Sequence, residues 1–157
     1  MSLVELFPES SWILSLAARD KKAAVKEMLQ RLVDLGKLKE DAAKKAEKAI
    51  LKRESQGSTA IGKGLALPHA KDCTFLKEIV GVFARSREGI PFDSVDGGLV
   101  HVLFLVVSPQ GQADAHMAMM RRIAKLHLDE KTLRFLGSDE QLESLAEIFT
   151  EVDDSFS

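Results

Sequence analysis

The sequence has little of what several classes of protein require. Cys73 is the one cysteine among 157 residues, so no disulfide can form within the chain and a reducing, cytoplasmic location is expected. The longest apolar stretch, residues 99–107, is far shorter than the roughly 20 residues that span a bilayer, so no membrane insertion is expected. Residues 1–8 contain no Lys or Arg, so no secretory signal is predicted.

The charges are also nearly balanced. The chain has 22 Lys and Arg residues and 24 Asp and Glu residues, so its net charge is −2. This charge argues against a nucleic-acid partner. One cysteine and four scattered histidines make a structural metal site improbable. Apolar residues make up 45% and charged residues 29%, which is typical of a globular protein, and the length predicts a single domain over residues 1–157.

Helical signals occupy both ends of the chain. Asp20 is a candidate N-cap for a helix whose apolar positions recur every three to four residues until Gly36. A second helix is predicted over residues 39–54, with Arg53 on its inward face. Three more are predicted over residues 112–128, 129–136 and 138–150, and residues 153–157 are expected to fray.

Strand signals lie between these helices. Residues 12–16 and 79–84 are predicted as strands, and residues 99–107 as a central strand because they are almost continuously apolar. Residues 85–98 are rich in turn formers and are predicted as a loop, in which Phe92 is either part of a docking surface or buried. Helices before and after the strands indicate an α/β fold, with a mixed central β-sheet flanked by helices on both faces.

A glycine-punctuated segment, residues 57–71, carries the chemistry. Gly57, Gly62 and Lys63 match part of the nucleotide-binding P-loop pattern, which would make the chain a nucleotide-dependent enzyme. However, Gly64 stands where that loop needs a hydroxyl. Pro68 also follows where a helix should begin, so the P-loop interpretation is disfavoured.

The same segment presents a histidine directly after a proline of fixed φ. His69 is a candidate nucleophile, because a neutral imidazole is available near pH 7 and forms a transferable phosphoryl group. The hydroxyls of Ser58 and Thr59 are candidate ligands for the oxygens of such a group. A loop histidine and ordinary turn residues are the alternative interpretation.

Several short groups of residues lie along this part of the chain: Arg53-Glu54, Gly57-Ser58-Thr59, Ile61-Gly62, Gly64, Ala66 and Pro68-His69. Together they resemble the active-site signature of the enzyme IIA family of the bacterial phosphotransferase system. The resemblance is to the fructose/mannitol type and especially to its nitrogen-regulatory branch. It extends downstream through Pro91-Phe92-Asp93, Pro109 and His116. The departures from the family pattern are small, such as Ala60 where the family commonly has glycine.

The resemblance implies a role for three residues and a fold of the enzyme IIA type. His69 would accept the phosphoryl group, His116 would be a second histidine near it, and Arg53 would stabilise the charge of the phosphoryl oxygens. No cofactor and no metal are implied. By spacing alone, His116 would be a core residue, so its assignment depends on the resemblance. The alternative for Arg53 is to solvate a helix end, and its inward-facing position argues against that alternative.

Three functions therefore compete. In the first, the chain is a phosphohistidine carrier that receives phosphate from an HPr-type protein. It passes the group to an enzyme IIB domain, as a component of a fructose/mannitol-type sugar transporter, or controls a target protein through its phosphorylation state. The absence of a fused IIB or membrane segment favours the regulatory form. In the second, the chain is a binding module that acts only by contact, and in the third it is the nucleotide-dependent enzyme.

Overall fold

The computed structural model describes residues 1–138 and 141–156, which form a five-stranded sheet and surrounding helices. The strands are β1 (Ala60–Gly62), β2 (Leu65–Ala66), β3 (His69–Cys73), β4 (Val80–Ile90) and β5 (Val100–Pro109). The α-helices are α1 (Leu3–Leu6), α2 (Lys21–Asp34), α3 (Glu40–Ser55), α4 (Ala113–Leu126), α5 (Glu130–Leu136) and α6 (Leu142–Asp154). Within the described ranges, no helix combines the length and apolar character needed to cross a bilayer.

Strand β5 is the centre of the sheet, as its apolar run predicts. One edge pairs antiparallel with β4, and the other pairs parallel with two short strands in succession. Leu65 of β2 lies opposite Val102, and His69 of β3 lies opposite Val106. This arrangement places the start of β3 beside the carboxyl half of β5.

The side chains of β5 alternate between two apolar layers. Leu103, Leu105 and Val107 pack in a cluster with α2 and α3. The intervening residues, Val102, Phe104 and Val106, pack in a second cluster with α1, α4, α5 and α6. Helices therefore cover both faces of a mixed sheet, and the predicted fold class is confirmed.

The first long helix begins and ends as its local signals predict. The Asp20 side chain accepts a hydrogen bond from the backbone N–H of Ala23 at 2.8 Å, which caps the N-terminus of α2. Gly36 follows the helix with a φ of 73°, a left-handed conformation that glycine adopts without steric cost. Helix α3 also begins and ends within one residue of its predicted bounds.

The prediction of a strand over residues 12–16 is wrong. Only Ile13 forms a bridge, parallel to Ala84 of β4. Its N–H donates to Phe83 and its carbonyl accepts from Arg85, and the Leu16 N–H makes one further bond to Arg85. The segment therefore lies against the outer edge of β4 without continuing the sheet.

The predicted loop over residues 85–98 is also partly wrong, because β4 continues to Ile90. Arg85 lies opposite Val102 and Ile90 lies opposite Val100, so the intervening residues of β4 bulge out of the ladder. The Ser86 hydroxyl closes the bulge by accepting from the Gly89 N–H at 3.1 Å. The chain rejoins the sheet at buried Ile90. The sequence did not predict this part of β4, because the residues of the bulge are polar.

The carboxyl-terminal helix extends further than predicted. Asp153 belongs to α6, and its carboxylate accepts from the Leu3 N–H at 2.7 Å and from the Arg122 guanidinium at 2.9 Å. These contacts tie α6 to α1 and α4 at Asp153, the residue from which the sequence predicts a frayed end. Residues 139–140 of the predicted helix over 138–150, and residue 157, lie outside the described residues.

Candidate functional site

His69, the first residue of β3, lines an open cleft of about 540 Å³ between α3, β3 and the start of α4. Because β3 runs parallel to β5, and α4 begins soon after β5 ends, the first turn of α4 returns beside His69. The other residues lining this His69 cleft are Ala49, Lys52, Arg53, Gln56, Ala70, Lys71, His116, Met117 and Met120.

A backbone hydrogen bond determines the protonation of the His69 ring. Its Nδ1 lies 2.6 Å from the carbonyl oxygen of Leu67. A carbonyl can only accept, so Nδ1 carries the hydrogen and Nε2 of the neutral ring holds a lone pair. Nε2 is therefore the nitrogen available for bonding to a ligand or reactant.

The second imidazole of the cleft is His116, in the first turn of α4. Its ring centre lies 5.3 Å from that of His69, with a tilt of 49° between the ring planes. His116 is almost fully buried, and its Nδ1 lies 2.5 Å from the hydroxyl oxygen of Ser108, near the end of β5. The helix and the central strand thus hold His116 against His69.

Burial keeps both imidazoles neutral at pH 7. Desolvation lowers the pKa of His69 from its usual value, and the nearby Arg53 acts in the same direction, although the Leu67 carbonyl opposes them. Desolvation also lowers the pKa of His116, to about 4, with help from the charges of His69 and Lys71. A neutral His69 retains the Nε2 lone pair that a nucleophile requires.

The cleft is locally basic in a chain whose net charge is −2. Arg53 lies in the last turn of α3, and its Nη1 donates to the Gly57 carbonyl at 2.8 Å, which holds the guanidinium beside the glycine-rich loop. Lys52 and Lys71 line the same cleft. A guanidinium and two ammonium groups beside paired imidazoles suit a doubly charged oxyanion such as a phosphoryl group.

Ser58 and Thr59 have other partners in this structure. The Ser58 hydroxyl donates to the Phe92 carbonyl at 2.5 Å, and the Thr59 hydroxyl donates to the carboxylate of Glu54. Each hydroxyl has a single hydrogen to donate. Their predicted contact with a phosphoryl group would require both bonds to be exchanged.

Glu54 joins the loop to two other elements. Its buried carboxylate also accepts from the Thr59 N–H at 3.1 Å and pairs with the Lys21 ammonium at 3.1 Å, at the start of α2. Lys21 in turn lies over the Phe92 ring, 4.9 Å from its centre. Phe92 is fully buried, so the suggestion that it forms a docking surface is wrong.

The amino-acid sequence matches, over residues 5–152, the family described as phosphoenolpyruvate-dependent sugar phosphotransferase system, EIIA 2. The chain belongs to this EIIA family. It is 31% identical over 145 residues to a nitrogen regulatory protein of Bradyrhizobium diazoefficiens, covering 92% of each chain. It is also 31% identical over 153 residues to the fructose-specific EIIABC component of Bacillus subtilis, covering 98% of this chain but only 24% of that protein.

A solved structure supports the same assignment. The nitrogen regulatory protein IIA-Ntr of Neisseria meningitidis superposes with a TM-score of 0.81 at 26% identity, covering 92% of this chain and 97% of that one. The predicted resemblance is thus confirmed, and as an EIIA component the chain is a phosphocarrier or regulator of the phosphotransferase system. The nucleotide hypothesis loses its structural basis, because residues 60–66 form the β1–β2 hairpin, with Lys63 and Gly64 at its turn, and lead into no helix.

Two residues near the paired imidazoles were missed from the sequence. Lys71 follows His69 by two positions in a strand, a spacing that returns a side chain to the same face, so this signal was available. Ser108 directly follows the apolar run of residues 99–107 and offered no local signal. Within residues 1–138 and 141–156, no group of three or more His, Cys, Asp or Glu side chains is arranged to hold a metal ion.

Proposed function

We propose that this EIIA chain carries a phosphoryl group on Nε2 of His69. The observation that carries the proposal is the pairing of two neutral imidazoles in a basic cleft, with Nδ1 of His69 bound to the Leu67 carbonyl. This bond leaves the lone pair on Nε2, where it is available to attack a phosphoryl group.

The transfer step follows from that protonation state. The Nε2 lone pair of His69 attacks phosphorus, an Nε2–P bond forms, and the P–N bond of a donor phosphohistidine breaks, so that the donor imidazole recovers its lone pair. The His69 ring then carries positive charge, because Nδ1 keeps its hydrogen. The Leu67 carbonyl, 2.6 Å from Nδ1, stabilises that charge.

Arg53 and His116 act on the phosphoryl oxygens. Phosphoryl transfer spreads negative charge over the equatorial oxygens, so catalysis consists mainly of positioning and of electrostatic stabilisation. Arg53 supplies a guanidinium held by Gly57, and His116 supplies a second imidazole 5.3 Å from the first, centre to centre. Ser58 and Thr59 brace the glycine-rich loop through their bonds to Phe92 and Glu54, and exchange of these bonds brings their hydroxyls to the phosphoryl oxygens.

The partners follow from the family. The donor is an HPr-type phosphocarrier protein, and the acceptor is a cysteine of an enzyme IIB domain or a target protein that senses phosphorylation. The fructose-specific relative is part of a component named EIIABC, which supports the first acceptor. The Bradyrhizobium relative, a nitrogen regulatory protein matched over 92% of its length, supports the regulatory role. We propose that residues 1–157 act as one EIIA domain in the cytoplasm.

Intact-mass analysis tests the proposal. The protein is incubated with phosphoenolpyruvate, enzyme I and HPr, and we expect a gain of one phosphoryl group that is labile in acid and stable in base. The gain should disappear in His69→Ala and persist in His101→Ala, a matched histidine at the other end of β5. Full phosphorylation of His69→Ala would refute the assignment of the acceptor. No gain in the wild-type protein, with an active donor, would favour the module that acts only by contact.

A further inference from the structure

Ser108 is the polar residue at the carboxyl end of the apolar central strand. It is 1% exposed, and its Oγ lies 2.5 Å from Nδ1 of His116. Among the residues that the structure describes, Ser108 Oγ has no second side-chain or backbone partner. The hydroxyl and Nδ1 of the imidazole therefore share a single hydrogen bond, and both side chains are almost fully buried.

The direction of this bond follows from counting hydrogens. If Nδ1 donated, the Ser108 hydroxyl hydrogen would be buried without an acceptor, which costs the full desolvation penalty of that group. If the hydroxyl donates to Nδ1, its hydrogen is used and Nδ1 is satisfied as an acceptor. The second arrangement leaves no orphaned group, and it requires the single hydrogen of neutral His116 to reside on Nε2.

We propose that Ser108 is a positioning residue that holds His116 as the Nε2–H tautomer, so that His116 donates a hydrogen bond to the phosphoryl group on His69. The inference rests on the proposed function, because it assigns the donor in that reaction. It makes the two imidazoles complementary. The Leu67 carbonyl leaves His69 with a lone pair on Nε2, and the Ser108 hydroxyl leaves His116 with a hydrogen there.

The alternative tautomer would work against transfer. A bare Nε2 on His116 would direct its lone pair at phosphoryl oxygens that can only accept hydrogen bonds. In the unphosphorylated protein His116 does not avoid this choice by becoming an imidazolium at pH 7, because burial lowers its pKa to about 4. The Leu67 carbonyl and the Ser108 hydroxyl thus give the two imidazoles opposite roles: His69 is the nucleophile and His116 is the hydrogen-bond donor.

The first test needs no variant of Ser108. Long-range ¹H–¹⁵N spectra of the unphosphorylated wild-type protein at pH 7 report which nitrogen of each histidine carries hydrogen, with His69→Ala and His116→Ala used to assign the signals. We expect His116 to be protonated on Nε2 and His69 on Nδ1. A His116 ring protonated on Nδ1 would overturn the inference and leave the proposed function standing.

The second test measures transfer. Ser108→Ala removes the donor to Nδ1, and we expect phosphoryl uptake from phosphorylated HPr to slow by about fivefold, the effect of one ordinary hydrogen bond. Ser108→Thr keeps the hydroxyl and should stay within about twofold of the wild-type rate. Ser86→Ala is the matched control, since it also removes a buried serine hydroxyl, but one bonded to Gly89 in the β4 bulge.

A double variant separates positioning from general loosening of the fold. If Ser108 acts through His116, then Ser108→Ala should have no further effect on the rate in a His116→Ala background. An undiminished fivefold loss in that background, or an equal loss in Ser86→Ala, would contradict the positioning role. A wild-type protein that accepts no phosphate would overturn the proposed function and this inference together.

Discussion

Two clefts at opposite ends of β5 have similar linings and different chemistry. The His69 cleft, about 540 Å³, and a second cleft of about 400 Å³, which we call the His101 cleft, each contain histidine, lysine and arginine. In each, the histidine Nδ1 donates to a backbone carbonyl, that of Leu67 for His69 and that of Ser86 for His101. The His101 cleft is lined by Lys63, Gly64, His101, Val102, Glu130, Leu133, Arg134 and Gly137.

The difference lies in what surrounds each imidazole. His69 faces a second neutral ring, whereas the ring of His101 packs against Gly64 and Gly89, so closely that a Cβ at Gly89 would be 3.0 Å from it. Lys63 already donates its ammonium to the His127 carbonyl, and Glu130 brings a negative charge to the same cleft. Residue composition therefore does not define the site; the paired imidazoles and their neighbouring cations do.

Removing an arginine side chain from each cleft should give the largest difference in the rate of phosphoryl uptake. Arg53→Ala removes a donor to the phosphoryl oxygens, and we expect the rate of phosphoryl uptake to fall about 100-fold, the usual loss for one preorganised donor to a developing oxyanion. Arg134→Ala, in the His101 cleft, should leave the rate unchanged. The measurement is the initial rate with phosphorylated HPr. Equal rates for the two variants would mean that the arginine beside His69 does not act on the reaction.

Breaking the buried ion pair should come next. Glu54→Gln removes the buried carboxylate that pairs with the Lys21 ammonium and leaves only the exposed Asp93 carboxylate beside it, and we expect the free energy of unfolding to fall by about 2–3 kcal/mol. Glu130→Gln alters an exposed carboxylate in the first turn of α5, and about 0.5 kcal/mol or less is expected. Urea unfolding at pH 7 measures both. A loss in Glu54→Gln no larger than in Glu130→Gln would show that the network does not brace the loop.

Removing the second imidazole should have an intermediate effect on rate. His116→Ala deletes one hydrogen bond to a charged group, so we expect phosphoryl uptake to slow about tenfold while His69 still becomes phosphorylated. His101→Ala serves as the matched change at the other end of β5 and should not slow uptake. Mass analysis over time distinguishes slowing from abolition. A His116→Ala protein that reacts at the wild-type rate would remove His116 from the mechanism.

The smallest effect concerns stability and pH. In the folded state the pKa of His116 is about 4, whereas an unfolded histidine titrates near its usual value of about 6.5. Between these values the unfolded chain binds more protons. The stabilising contribution is therefore complete above about pH 6.5 and is lost as the pH falls towards 4.

The corresponding measurement is the unfolding free energy in urea at pH 7 and at pH 5. His116→Gln should lose less stability over this interval than the wild-type protein, because one of its buried neutral imidazoles is gone. His101→Gln provides the comparison for removing a histidine from the other cleft. Identical losses in the wild-type protein and His116→Gln would show that His116 does not titrate differently on folding.

Local signals predicted most of the secondary structure. The Asp20 cap, the apolar spacing of α2 and the composition of α3 act within a few residues, so they can be seen in one segment alone. The prediction of a strand over residues 12–16 was wrong because β-pairing depends on a partner that is distant in sequence, and only Ile13 of this segment forms a bridge. The β4 bulge was missed for the same reason, since polar residues outside a ladder look like a loop.

The sequence by itself determined the α/β class, the glycine-rich segment and the presentation of His69 after Pro68, since each depends on local propensity or on a pattern within one stretch of chain. Only the tertiary structure decided which groups meet. The parallel register of β3 and β5 and the return of α4 bring His116 and Ser108 to His69. Hydrogen-bond direction, burial and pKa then follow from those neighbours, because each is a property of a packed site and not of any segment that contributes to it.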